Sequence, residues 1–138
     1  MVNNKSFEEI MVGDKASFSK TISESDIYTF AGITGDFNPV HINEVAAARG
    51  LFKKRVAHGM LSASLISTVL GTGLPGPNTI YLSQEIQFKA PVYIGDTLTA
   101  EVEVLEKDEK KNIITLRTLV VNQDGKIVVD GQAKTMKR

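Results

Sequence analysis

Met60-Leu61-Ser62-Ala63-Ser64-Leu65-Ile66-Ser67-Thr68-Val69-Leu70 holds no charged side chain, and its polar groups are small hydroxyls. A helix that is apolar all round is buried by other structure, and this one falls well short of the roughly 18 residues of a membrane span. The stretch reads as a central helix, closed at Gly71, that the remainder of the chain wraps. Downstream the apolar period drops to two. Ile80, Leu82, Ile86 and Phe88 alternate with Tyr81, Ser83, Glu85, Gln87 and Lys89, and Leu98, Ala100, Val102 and Val104 alternate with Thr97, Thr99, Glu101 and Glu103. Such alternation marks half-buried antiparallel strands. Pro91 and Gly95-Asp96 supply the turn between them. Residues 113–121 and 127–135 read as two further strands joined at Asn122-Gln123-Asp124-Gly125, where Asp-Gly is a hairpin signal.

Upstream of the central helix, residues 15–22 read as a strand with Ala16, Phe18 and Lys20 on one face. Ser23 has the chemistry of a helix N-cap, with Glu24 and Asp26 in the first turn where the helix dipole favours anions. Ile27, Phe30 and Ala31 follow at helical spacing, and Gly35 ends the run. Asn43 opens a second short helix, residues 44–49, that closes at Gly50. Five strands around one buried helix give the fold class α+β.

The chain has 138 residues, 42% hydrophobic and 23% charged, the proportions of one ordinary globular domain spanning residues 1–138. Sixteen Lys and Arg balance sixteen Asp and Glu, so the basic excess of a nucleic-acid binder is missing and no nucleic-acid partner is expected. Cysteine is absent, which removes disulfide and thiolate chemistry and suits the cytoplasm. Two histidines make a His-rich metal site hard to build, and no metal is expected. The N-terminal residues lack the apolar stretch of a signal peptide, so a cytoplasmic protein without a membrane partner is expected.

Gly71-Thr72-Gly73-Leu74-Pro75-Gly76 fits the spacing of a dinucleotide fingerprint, but it follows a helix instead of a strand. Pro75 and Pro77 prevent a new helix from starting, so the glycines read as a helix end and a turn, and no cofactor is expected. Asn4-Lys5-Ser6 fits a glycosylation sequon, which carries no weight without an export signal. Ser62, Ser64 and Ser67 lie outside any G-x-S-x-G elbow and mid-helix, where hydroxyls bond back to the preceding turn. Ser62 and Ser64 read as packing residues; Ser67 stays open.

The chemistry-bearing stretch is Phe30-Ala31-Gly32-Ile33-Thr34-Gly35-Asp36-Phe37-Asn38-Pro39-Val40-His41. Pro39 pushes Asn38 out of the helical region, so Asp36 and His41 lie five residues apart across a stiff turn, which can aim both side chains at the same point. An Asp beside a His is a pair from which an acid and a base are made near neutral pH. Spacing alone leaves a second reading open, in which Asp36 caps the turn and His41 is hydrogen-bonded in the core. His58-Gly59 lies immediately before the central helix. Gly59 has no Cβ to keep a ligand from its N–H at the positive end of the helix dipole, a place to hold an oxygen gaining negative charge. His58 reads as the residue that caps or orients this turn.

The stretch from Phe30 to His41 with Ala46 to Ala48 resembles the hydratase 2 motif of MaoC-like (R)-specific enoyl-CoA hydratases. His58-Gly59-Met60-Leu61, Ile80-Tyr81-Leu82, Phe88-Lys89-Ala90-Pro91-Val92 and Gly95-Asp96 fit that family in the same order. The likeness is closest to the short single-domain type that supplies (R)-3-hydroxyacyl-CoA monomers for polyhydroxyalkanoate synthesis. It implies a hot-dog fold, an antiparallel sheet curled around one helix. It also implies a homodimer or higher oligomer with acyl-CoA in a tunnel near the subunit interface, and reversible hydration of trans-2-enoyl-CoA to the (3R)-alcohol. Asp36 and His41 would hold one water, the Gly59 N–H would face the thioester oxygen, and Asn38 would orient the turn. Ser67 corresponds to a position lining the active site. Lys53, Lys54, Arg55 and Lys89 are candidates for the CoA phosphates. Acyl-chain length would depend on Leu61, Ile66, Val69, Leu70 and residues 73–77. Three rivals share the fold: an acyl-CoA thioesterase, a carrier-protein dehydratase and a non-catalytic partner subunit. The paired Asp and His favour the hydratase, because fold alone does not decide function.

Overall fold

Ser23 caps its helix as its chemistry predicts. Its hydroxyl accepts the Asp26 N–H while the Asp26 carboxylate accepts the Ser23 N–H, at 3.1 and 2.9 Å. Gly35 ends the same helix in the left-handed region with φ 79°. The computed structural model describes residues 2–138. The elements run β1 (Lys15–Thr21), α1 (Glu24–Thr34), α2 (Pro39–Ile42), α3 (Glu44–Arg49), α4 (Gly59–Thr72), β2 (Thr79–Phe88), β3 (Thr97–Asp108), β4 (Ile113–Val121) and β5 (Ile127–Lys137). Removal of the cap by Ser23→Ala is expected to cost about 1 kcal/mol, read as a lower urea midpoint.

The five strands form one antiparallel sheet in the order β1-β3-β4-β5-β2. α4 packs across its inner face and touches β1, β2, β3 and β4. Ile66, Val69 and Leu70 of the helix meet Leu98, Ala100, Val102 and Val104 of β3 in one continuous core. The expected alternation of β3 is therefore the packing that holds the central helix. Gly125 takes φ 75° in the β4–β5 hairpin, the conformation for which the Asp-Gly pair was suited.

Three expectations need correcting. The central helix is not wrapped on every side: Met60, Ser64, Ser67 and Gly71 lie one turn apart along an exposed stripe, with Met60 57% exposed. Small hydroxyls and glycine along that line leave little apolar area to bury. Within β2, the register against β5 shifts between Tyr81 and Ser83, so Leu82 is an extra residue. The bulge moves Ile80 to the face opposite Ile86 and Phe88, breaking the uniform alternation. Lastly, the turn from Asp36 to His41 contains the one-turn helix α2, opened by Pro39 at its first position.

Candidate active site

A relay of short polar side chains builds the turn that carries Asp36. The Thr34 hydroxyl accepts the Asp36 N–H at 3.2 Å, Asp36 Oδ1 accepts the Asn38 N–H at 3.2 Å, and Asn38 Oδ1 accepts the Val40 N–H at 3.1 Å. Asn38 sits at φ −52°, ψ 125° as the N-cap of α2, the conformation that a following proline favours. The Asn38 amide thus stabilises the turn while the helix presents His41 inward.

His41 is buried, with Nδ1 2.7 Å from the Val56 carbonyl oxygen. A carbonyl can only accept, so Nδ1 carries the hydrogen and Nε2 keeps a free lone pair. His58 is buried beside it, and the two rings stack at 3.9 Å between centroids and 28° between planes. His58 Nε2–H donates to the Asp36 carbonyl at 3.0 Å, which leaves its buried Nδ1 without a partner. Phe30 tilts against the same ring with centroids 4.8 Å apart. His58 makes no side-chain capping bond to α4; it orients the Asp36 turn instead. Burial holds the His41 imidazolium below its ordinary pKa of 6.5 and the neighbouring His58 acts in the same direction, while the Val56 bond and Asp36 oppose them. His41 is accordingly neutral at neutral pH.

One ligating atom from each of Asp36, His41 and His58 falls within 4.8 Å of the others. The rings stack, and each keeps one nitrogen on a carbonyl, His41 Nδ1 on Val56 and His58 Nε2 on Asp36, which leaves the other nitrogen of each ring without a protein partner.

His41 lines a cavity of about 520 Å³ together with Asn38, Gly59, Ser62, Phe88 and Val129, among others, while Asp36 and His58 are not among its walls. Gly59 is the first residue of α4, so its N–H lies outside the intrahelical ladder and at the positive end of the helix. A Cβ on Gly59 would stand 2.8 Å from Phe88 Cε1, closer than packed atoms come, so a side chain there displaces the Phe88 ring.

The remaining candidates scatter. Lys89 lines the cavity, whereas Lys53 and Lys54 are exposed on the preceding loop and Lys54 Nζ sits 4.1 Å over the Tyr93 ring. Arg55 departs from its expected role as a phosphate ligand. It is 7% exposed, and its Nε–H is spent on the His41 carbonyl at 2.8 Å. Ser67 lies on the exposed stripe of α4, and the core residues Ile66, Val69 and Leu70 are outside this cavity. Sequence reading missed Val56, whose contribution is a backbone carbonyl, and Phe52, Phe88 and Val129 as cavity walls. Inward phase in β2 and β5 was the one signal for the last two.

A curled antiparallel sheet packed on a single helix, with His41 and a helix-terminal amide at one apolar cavity and Asp36 close to His41, defines a hot-dog protein. The family described as MaoC like domain matches residues 9–125, and the chain belongs to it. An (R)-specific enoyl-CoA hydratase of Rhodospirillum rubrum is 55% identical over 130 residues, covering 94% of this chain and 90% of that protein. A second, from Aeromonas caviae, is 44% identical over 128 residues, covering 93% and 96%. The unliganded R-hydratase PhaJ1 from Pseudomonas aeruginosa has TM-score 0.92 and 50% identity, covering 97% of this chain and 86% of that one.

Proposed function

We propose that Asp36, His41 and Gly59 carry out the reaction of an (R)-specific enoyl-CoA hydratase. The chain is a hydro-lyase that adds water reversibly to trans-2-enoyl-CoA, giving the (3R)-3-hydroxyacyl-CoA. The observation that carries the residue assignment is a neutral imidazole with a free Nε2 that shares one cavity with an amide free of the helix ladder, while the Asp36 carboxylate lies within 4.8 Å of the histidine nitrogens.

A water held between the Asp36 carboxylate and His41 Nε2 has two acceptors for its hydrogens. Its oxygen bonds to C3, the C2–C3 π pair moves to C2, and the pair of side chains takes one proton from the water and returns one to C2. Atoms balance without any cofactor. As the π system shifts, negative charge gathers on the thioester oxygen, where the Gly59 N–H donates to it. Lys89 stands at the cavity to meet the charged end of CoA, and Asn38 keeps the carboxylate aimed.

We further propose that residues 1–138 act as one domain, in the cytoplasm, as a homodimer. The absence of cysteine suits a reducing compartment, and among the described residues no helix is long and apolar enough to cross a membrane. β2 is an edge strand with Ile80, Tyr81 and Leu82 more than two-fifths exposed, beside the open stripe of α4. A second copy would cover both through a two-fold interface, which removes a free strand edge.

Hydration of crotonyl-CoA, followed by loss of enoyl absorbance with chiral analysis of the product, tests the function. Formation of the (3R)-alcohol is expected; release of free CoA without hydration would make the chain a thioesterase. The pH profile follows from His41. Because burial lowers its pKa, kcat is expected to stay level at and above neutral pH and to fall only as pH drops below 6.5. The unfolded chain binds the His41 proton more readily than the folded one, so stability also declines as pH falls through that window.

A further inference from the structure

We propose that Arg55 is the positioning residue for His41, its guanidinium tying the His41 carbonyl to α1 and so fixing where the imidazole meets substrate. This deepens the hydratase reading and rests on it for the activity measurements only.

His41 sits on a helix of four residues, too short to hold its own orientation. Its ring is fixed by Val56 O at 2.7 Å, and its backbone by the same segment: Val56 N–H donates to Val40 O at 3.2 Å, and Arg55 Nε–H donates to His41 O at 2.8 Å. The opposite side of the guanidinium reaches α1. Nη1 lies 3.6 Å from Glu24 Oε2, and Cζ lies 5.1 Å from the centre of the Tyr28 ring. One planar cation thus joins the long, capped helix α1 to the short helix bearing the base. Its Nη2 is buried without a partner, a cost that a hydrocarbon side chain of similar size would not carry. Glu24 is 53% exposed, so loss of the arginine leaves its carboxylate in water and the chain is expected to fold.

Lysine does not substitute. A compact ammonium cannot donate to His41 O, pair with Glu24 and lie against Tyr28 at once, as the planar fork does. A phosphate ligand would behave differently, because lysine serves there and the loss appears in KM.

The test uses Arg55→Met and Arg55→Lys with two substrates, crotonyl-CoA and crotonyl N-acetylcysteamine, the second lacking the CoA phosphates. Both variants are expected to lose about 10- to 100-fold in kcat on both substrates, the scale on which a small misplacement of a reacting group acts. KM should stay within about threefold, since binding is not what is lost. The ¹⁵N spectrum of the His41 ring gives a readout independent of turnover. A single Nδ1–H tautomer is expected in the native chain and a mixture in Arg55→Met. A KM increase confined to crotonyl-CoA, with kcat and the ring spectrum unchanged, would overturn the proposal and make Arg55 a phosphate ligand. Should the native chain fail to hydrate either substrate, the hydratase reading falls while the ring spectrum still decides the role of Arg55. Should Arg55→Met not fold, Arg55→Lys carries the same expectations, and native kcat in that variant would overturn them.

Discussion

Asp36→Asn is expected to lower kcat for crotonyl-CoA hydration by about 10²–10⁴-fold, the range that positioned acid–base groups supply. Asparagine preserves the local architecture. Its side-chain oxygen can still accept the Asn38 N–H that Asp36 Oδ1 now accepts at 3.2 Å, so the turn and the backbone carbonyl held by His58 should survive. What disappears is the negative charge and the ability to take up a proton. KM and the melting temperature should therefore stay near native values. His41→Gln should fall into the same range, and the double variant should be scarcely worse than either single one. Two groups that hold one water act as a unit, and such effects do not add. If the double variant instead lost the product of the two single effects, Asp36 and His41 would be serving separate steps. Native activity in Asp36→Asn would remove the carboxylate from the mechanism altogether.

The fold was legible where one physical preference acted without competition. The buried run of α4, the alternation of Leu98 to Val104, the capping chemistry of Ser23 and the Asp-Gly hairpin each satisfy a local requirement that the sheet and helix also satisfy. Where the reading failed, two preferences competed. The Met60–Gly71 stripe is uncharged yet open, because composition reports what a face contains and not what covers it. In β2, a one-residue bulge reversed the phase that periodicity had set, and nothing in Tyr81-Leu82-Ser83 announces it.

In the site, the residue types and the spacing of Asp36 and His41 pointed to acid–base chemistry. They did not give the tautomer, which the Val56 carbonyl decides, nor the stacked partner His58, some seventeen positions downstream. Arg55 shows the limit most clearly. In the sequence it is the third cation of Lys53-Lys54-Arg55, and charge runs read as solvated or anion-binding. In the fold it turns inward under α1 while its two neighbours stay exposed. That choice depends on Glu24, Tyr28 and the His41 carbonyl, all distant in the chain.

Gly59→Pro, made in a Phe88→Ala background, is expected to lower kcat by a further 10²–10³-fold, about what loss of one oxyanion donor costs. The background is needed because any Cβ at position 59 would meet the Phe88 ring at 2.8 Å. Proline suits this position otherwise. It occupies the first turn of α4, where the missing N–H breaks no helical hydrogen bond. The preceding His58 already lies at φ −58°, ψ 132°, the extended conformation that a residue before proline adopts. The substitution thus deletes one donor while leaving the helix and the stacked histidines in place. Gly59→Ala in the same background is the control: it adds a Cβ but keeps the N–H, and should retain most of the activity of Phe88→Ala alone. In native Phe88 surroundings, Gly59→Ala should lose about 10²-fold because the displaced ring and amide no longer fit the thioester. Equal activities of the proline and alanine variants in the Phe88→Ala background would show that no charge develops at this amide. The thioester oxygen would then have to be held elsewhere in the cavity, where the buried hydroxyl of Ser62, on the same helix, has no partner.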